Sequence, residues 1–484
     1  MLLDPLEALD AVGRPADEAL ASRGLAFLAQ LAITVEGIEQ YLEVAANVRF
    51  RIGDTDFFLC LGNDGAGIQH GVLPRFCGIF AIGIAQNRAI SNPSTGRETI
   101  IEPFAIDIPG AMLEDLKARL SATRWTDDFA NDGWEYGTNA SYLKRLAEYW
   151  LEEYDWRARE RLMNRFSHFR TEIDEIPIHF IHERGKGPEP LPIILNHGWP
   201  WTFWDFSKVI GPLADPASHG GDPADAFDVI VPSLPGYAFS TPLRRTGINF
   251  WNTADLWVRL MDRLGYERFA SQGGDWGSFI TAQLGHKYAE RMIGVHLTTS
   301  VPLDFMTGGA PDPGDYTPQE QSKLARMAEI NAEGTGYFML QKTKPQTPAV
   351  ALNDSPAGLL AWITEKRMGW SDCGGDVEQR FTRDELIDTV MLYWVTQSYH
   401  TSARYYYEAA HNPWKPLHDR PRVVDAPTAL AIFPAELAHP ARAWAERYYN
   451  LQQWTEMKAG GHFAPMEEPE ALVEDIRRFF RSRR

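Results

Sequence analysis

The sequence predicts an α/β protein: a mostly parallel sheet with helices on both faces and a helical insertion before its last strands. Three observations predict it. From residue 176 onward, short apolar runs alternate with amphipathic helical patterns, the rhythm of βαβ units. Between about 301 and 425 that rhythm gives way to consecutive helix signals, and then it resumes. Inside the regular part lies Gly273-Gly274-Asp275-Trp276-Gly277, where small residues on either side of an aspartate permit a sharp strand-to-helix turn.

Composition narrows the partners. The 484 residues suggest roughly three domains or a capped sheet with appendages. A formal net charge of -18 argues against nucleic acid and against anionic membrane surfaces. Cys60, Cys77 and Cys373 are too few and too scattered for a disulfide framework or a zinc site, so a reducing cytoplasm is expected. The longest apolar runs, 24–35 and 76–85, fall short of the roughly 20 residues a membrane span needs. Neither is arranged as a cleavable signal, and the chain is expected to be soluble.

Residues 1–100 carry a helical pattern over 16–44, candidate strands over 51–61 and a turn-rich linker, Ser91-Asn92-Pro93-Ser94-Thr95-Gly96. They hold no motif and no repeat, and are expected to be an accessory subdomain or an extension of unknown role. Over 101–175 two helices are expected. Leu113, Leu116 and Leu120 share one face of the first; Leu143, Leu146, Ala147, Trp150 and Tyr154 share one face of the second. Thr123-Arg124-Trp125, Asp155-Trp156-Arg157 and Phe166-Ser167-His168-Phe169 mix rings with charges, as a segment packed on another surface would.

The core begins with strands at 176–182 and 191–196, the second an apolar run suited to a buried parallel position. His197-Gly198-Trp199-Pro200 ends it; Pro200 fixes the local backbone, with a cis bond left open. A helix over 203–213, a strand over 227–232 and a helix over 252–264 follow. The strand 268–272 and helix 278–289 flank the Asp275 turn, and a strand at 292–297 closes the first part, 176–300. In the insertion, 301–425, Ser355 followed by Pro356 starts one helix, and Thr382 with Glu385 forms a capping box before another over 386–396. Strands at 428–433 and 455–458 and a helix at 470–480 return to the core, 426–484. A helical insertion in a parallel sheet reads as a lid.

Asp275 decides the chemistry. A carboxylate at such an elbow is ionised at neutral pH and attacks without help from a base. Its attack on an ester would give an unstable anhydride, whereas attack on an sp³ carbon of an epoxide or alkyl halide gives an ordinary ester. The partners must follow in the order acid, then histidine, after late strands. Glu436 in Phe433-Pro434-Ala435-Glu436 and His462 in Gly460-Gly461-His462-Phe463 fall there; Glu468 and Asp425 are less well placed. His462 reads as the general base and Glu436 as the group that orients it. The backbone N–H groups of Trp199 and Trp276 are expected to form the oxyanion hole.

In this order, Thr123-Arg124-Trp125, Tyr154-Asp155-Trp156-Arg157, His197-Gly198-Trp199-Pro200, Gly273-Gly274-Asp275-Trp276-Gly277, Phe433-Pro434-Ala435-Glu436 and Gly461-His462-Phe463 resemble an epoxide hydrolase of the microsomal type over nearly four fifths of the chain. The resemblance implies an α/β-hydrolase fold with a helical lid and an N-terminal epoxide hydrolase segment that wraps the core. It implies two lid phenols that donate to the epoxide oxygen: Tyr337, and Tyr406 in the triplet Tyr405-Tyr406-Tyr407, whose register stays open by one position. It also implies a vicinal diol product, formed through an ester on Asp275, with no metal and no cofactor.

A small-molecule epoxide is the expected partner, and a bulky apolar one, aryl or terpenoid, is suggested by lid aromatics and by Trp199, Trp201 and Trp204, which could equally be core. A homo-oligomer is left open. Animal members carry an N-terminal membrane anchor that is not evident here, and residues 1–100 match nothing in the family. A haloalkane or haloacid dehalogenase shares the Asp–His chemistry but has no need of paired phenols. A silent binding protein on this fold would be free to lose one of the three catalytic groups.

Overall fold

The computed structural model describes residues 100–484 and, before them, the backbone of three strands: β1 (Asn47–Ile52), β2 (Thr55–Cys60) and β3 (Gly67–His70). These three form an antiparallel meander, β1-β2-β3, in a unit that ends at Gly96. The expected helix over 16–44, the linker 91–96 and the two apolar runs lie outside the described residues.

The second unit, Arg97–Arg484, is built on a nine-stranded sheet. Its strands are β4 (Glu102–Phe104), β5 (His168–Ile173), β6 (Ile176–Glu183), β7 (Leu191–Asn196), β8 (Phe227–Pro232), β9 (Phe269–Gly273), β10 (Met292–Leu297), β11 (Val424–Ile432) and β12 (Tyr449–Glu456). Across the sheet they run β12-β11-β10-β9-β7-β8-β6-β5-β4, parallel from β12 to β8 and antiparallel from β8 to β4. The central strands are buried on both faces, as parallel strands under helices must be, and β7, β8 and β10 are mostly apolar runs. The step from β7 to β8 crosses the sheet in the opposite direction to the steps from β8 to β9 and β9 to β10. Right-handed crossovers therefore put the helix Ser207–Ala214 on one face, and Phe250–Arg263 and Trp276–Lys287 on the other.

Three sequence expectations need correction. The last strand spans Tyr449–Glu456, not 455–458: it is an edge strand, largely half-exposed, so its alternating polar residues gave no apolar run to mark it. Strands β4 and β5 were not expected. The β5–β6 hairpin turns through Asp174 and Glu175, both with positive φ (52° and 64°). A two-residue turn of that kind usually announces itself with Asn or Gly. Finally, the first part of 203–213 is a 3₁₀ turn, Phe203–Phe206, because Thr202 and Asp205 cap it reciprocally.

Residues 301–423 are helical and irregular, with Pro356–Trp370, Arg383–Thr396 and Tyr399–His411 the long pieces. The helix expected from Ser355 has that residue as N-cap and Pro356 first, and the Thr382–Glu385 capping box is formed. The N-terminal segment is fastened to this insertion by long-range polar contacts. Arg119 meets Asp354 at 2.5 Å, and Thr138 Oγ1 donates to the Ala361 carbonyl at 2.8 Å. Tyr149 donates to Asp384 at 2.9 Å. The fully buried Asp388 collects the Tyr154 hydroxyl (2.8 Å), the Arg159 guanidinium (3.0 and 2.5 Å) and the Trp204 indole N–H (3.0 Å). A buried carboxylate needs such compensation to stay charged. Among the described residues no helix is long and apolar enough to cross a membrane.

Candidate active site

Asp275 stands between β9 and the helix Trp276–Lys287 with φ 51° and ψ −130°, a conformation that residues bearing a side chain seldom adopt. The turn closes because Gly277 has no Cβ; one there would collide with the Asn196 carbonyl of β7. Gly198 likewise leaves room for the Asp275 carboxylate itself. The Trp199 N–H donates to Asp275 Oδ1 at 2.7 Å. Trp276 opens the helix, so its N–H is among the amides without an intrahelical acceptor. The Trp199–Pro200 bond is cis.

Glu436 and His462 sit in the loops after β11 and β12, and a parallel bridge between Ala435 and Gly461 ties those loops together. Both side chains are about 1% exposed. His462 Nδ1 lies 2.7 Å from Glu436 Oε1, and its Nε2 faces Asp275 Oδ2 at 3.5 Å with no hydrogen-bond partner of its own. Glu436 Oε1 also accepts from the Leu437 N–H at 2.6 Å, and Oε2 accepts from Thr299 Oγ1 at 2.8 Å. Burial works against the Glu436 charge, but His462 and these donors outweigh it and hold its pKa below the ordinary carboxylate value. Burial works against a charged His462 too, yet Glu436 and Asp275 push its pKa up to about 10. The other acids considered are engaged elsewhere: Glu468 with Arg380 at 2.7 Å, Asp425 with Arg420 and with His418 at 3.4 Å.

On the lid side, Tyr337 belongs to the helix Gly336–Thr343 and stacks on Trp199, with centroids 5.1 Å apart and planes 8° apart. Tyr406, in Tyr399–His411, sets its ring edge-on to Trp199 at 5.9 Å and to Trp276 at 4.8 Å. The two tyrosine rings are 6.0 Å apart. Burial raises both phenol pKa values, and the Asp275 charge adds to the rise. A helix turns about 100° per residue, so three consecutive tyrosines point three ways. Tyr405 spends its hydroxyl on Thr253 Oγ1 at 2.8 Å, and Tyr407 stacks on His411 at 3.8 Å. Only Tyr406 of the triplet meets Tyr337.

The three tryptophans after β7 divide: Trp199 faces the phenols, Trp201 packs edge-on against the His462 ring at 5.5 Å, and Trp204 belongs to the Asp388 cluster. Sequence reasoning missed Thr299, and Trp370, whose carbonyl accepts the His462 N–H at 2.9 Å and whose ring lies 5.0 Å from Tyr337. The hydroxyl run Thr298-Thr299-Ser300, directly after the strand beside β9, was the available signal; Trp370 had none. Among the described residues no cluster of three or more His, Cys, Asp or Glu side chains is arranged to hold a metal ion. The arrangement sets a carboxyl group at the elbow, an imidazole facing it and two phenols across an aromatic wall.

A family model described as epoxide hydrolase N terminus matches residues 101–206, and one described as alpha/beta hydrolase fold matches 192–326. Epoxide hydrolase 1 of Oryctolagus cuniculus is 35% identical over 420 residues, covering 80% of this chain and 90% of that protein. Juvenile hormone epoxide hydrolase 2 of Ctenocephalides felis is 38% identical over 402 residues, covering 78% and 85%. The crystal structure of juvenile hormone epoxide hydrolase from Bombyx mori superposes with a TM-score of 0.70 at 32% identity, over 80% of this chain and 95% of that one.

Proposed function

The chain belongs to the epoxide hydrolases of the microsomal type, and on that premise we propose that Asp275 is the nucleophile of a two-step hydrolysis. The enzyme is an ether-bond hydrolase that converts an epoxide and water to a vicinal diol. In the first step an Asp275 oxygen attacks a ring carbon from the side opposite the breaking C–O bond. The electron pair of that bond passes to the epoxide oxygen, which takes a proton from Tyr337 or Tyr406. In the second, water loses a proton to His462 Nε2 and attacks the Asp275 carboxyl carbon. The Trp199 and Trp276 N–H groups hold the oxyanion until it collapses; the departing alkoxide takes the proton left on the former water, Asp275 returns to a carboxylate, and His462 passes its proton back to the tyrosinate.

The observation that carries this reading is His462 spanning Glu436 at 2.7 Å and Asp275 at 3.5 Å. The phenol pair favours oxygen over halide as the group that leaves carbon. Trp199, Trp276 and Trp370 around the tyrosines favour an apolar epoxide, and two of the relatives named above act, by name, on juvenile hormone. We place the enzyme in the cytoplasm on its cysteine usage, with clearance of reactive epoxides as its role.

A single turnover in ¹⁸O-water tests the mechanism. The label enters the Asp275 carboxylate, found by mass spectrometry of the elbow peptide, and the first diol released is unlabelled. Label in that first diol means direct attack of water and removes Asp275 as nucleophile. Assaying styrene oxide, an aliphatic epoxide and a haloalkane for diol or halide tests the substrate class.

A further inference from the structure

We infer that Thr299 is a positioning residue that locks the orienting acid to the nucleophile's own backbone; this rests on the two-step reading above. Thr299 follows β10 and is 8% exposed. Its Oγ1 accepts from the Asp275 backbone N–H at 3.1 Å and lies 2.8 Å from Glu436 Oε2. A hydroxyl has one proton, and an amide N–H can only donate to it, so that proton goes to Glu436. The residue is itself held: its N–H donates to Ser278 Oγ at 3.2 Å, and Ser278 Oγ donates to the Gly273 carbonyl at 2.6 Å. One hydroxyl thus joins the elbow, β10 and the loop after β11.

The consequence concerns Glu436. Its Oε1 serves His462 and the Leu437 N–H, and among the described residues Thr299 is the one hydrogen-bond donor to Oε2. With both oxygens tied, the carboxylate cannot rotate Oε1 away from Nδ1. The imidazolium that forms as water is deprotonated then meets a fixed anion, which is where preorganisation lowers a barrier. The Asp275 carboxylate has a separate donor in Trp199, so alkylation depends little on Thr299.

Thr299→Val keeps the shape and removes the hydroxyl; Thr299→Ser restores it. Stopped-flow tryptophan fluorescence with styrene oxide resolves alkylation from ester hydrolysis. In the Val variant ester hydrolysis slows about 10- to 100-fold, as loss of a charge-assisted hydrogen bond predicts, while alkylation changes less than about threefold. The acid limb of the hydrolysis step also moves to lower pH, because a loosened Glu436 stabilises the imidazolium less; mere loss of folded enzyme would leave that limb in place. The Ser variant regains the wild-type rate and limb. Unchanged hydrolysis in the Val variant, or a Ser variant as slow as it, overturns the assignment. If the Val variant does not fold, Thr299→Ala is read by the same criteria. A wild-type enzyme that forms no ester on Asp275 sinks the two-step reading instead.

Discussion

On one flank of Asp275, Glu436, His462 and Thr299 are fixed by hydrogen bonds, all on loops at the ends of adjacent core strands. On the other flank two phenols stand on separate lid helices and are held chiefly by ring contacts with Trp199, Trp276 and each other. The forces match the chemistry proposed for each flank. A proton relay needs one tautomer and one direction, which hydrogen bonds specify. Phenols that must meet substrates of varied shape need an apolar wall with a polar tip, which aromatic packing provides.

The most severe way to break this division is to cross it. Tyr337→Phe with Tyr406→Phe is expected to slow alkylation by about 10³ or more, since each donor to a developing oxyanion is worth on the order of 10²–10³. The same variant should hydrolyse any ester it does form at the wild-type rate. His462→Gln should do the reverse, alkylating Asp275 normally and accumulating the ester, visible as an added substrate mass on the intact protein. If the double variant alkylates normally, the phenols are lid packing and the dehalogenase reading gains.

A second way is to loosen one flank. Asp388→Asn leaves the Arg159 charge without its nearest partner, with only Asp384 at 3.9 Å remaining among the described residues, and is expected to cost about 3 kcal/mol in urea unfolding. Because Asp388 lies on the lid, alkylation should fall further than ester hydrolysis at temperatures where the variant stays folded. Equal losses in both steps would show that the flanks are not independent.

Two histidines sharpen the contrast by titrating in opposite senses. His197 accepts the Leu234 N–H at Nε2 (3.0 Å) and faces the Gly198 carbonyl through Nδ1 (3.0 Å), so it is held neutral; burial pushes its pKa down to about 4. Its folded pKa is below the unfolded value of 6.5, so its stabilisation is complete above pH 6.5 and is lost as pH falls toward 4. That loss is expected to reach about 2 kcal/mol by pH 5, measured by urea unfolding at pH 7, 6 and 5. The hydrogen-bonded pair His168 and His179, both lowered by burial, act in the same direction. His462, raised to about 10, contributes fully below pH 6.5 and loses its share as pH rises through 10. In the proposed mechanism, alkylation removes the Asp275 charge, one of the two anions that raise the His462 pKa, so His462 is freed to act as the base once the ester exists.

The smallest effect is expected from deletion. A chain beginning at Arg97 should fold and form diol at close to the full rate, since every residue assigned to either flank lies in the unit Arg97–Arg484. An insoluble or inactive product, beside an active full chain, would give residues 1–96 a structural task.

What could be read in advance follows the range of the interactions. The buried strands β7, β8 and β10 announced themselves because each is a short contiguous run of mostly apolar residues. That Asp275, Glu436 and His462 would meet could be anticipated because the fold dictates the order of the loops that carry them. The edge hairpin was missed because Asp174 and Glu175 adopt positive φ without a glycine or asparagine. Asp388 was invisible because its partners lie 184 to 234 residues away. The choice among Tyr405, Tyr406 and Tyr407 needed to know that Thr253 waits for one of them.

The knot at Asp388 has a consequence for recombination. It joins a segment near residue 155 to one near 388 through the core indole of Trp204, and Arg119–Asp354 and Tyr149–Asp384 repeat the pairing nearby. Lid and N-terminal segment are therefore inherited together. A chimera that borrows only the lid of a relative would leave an arginine and a tyrosine facing a foreign surface, whereas one that borrows both keeps its seam closed. Shuffling libraries meant to vary specificity should place their crossovers outside that pair.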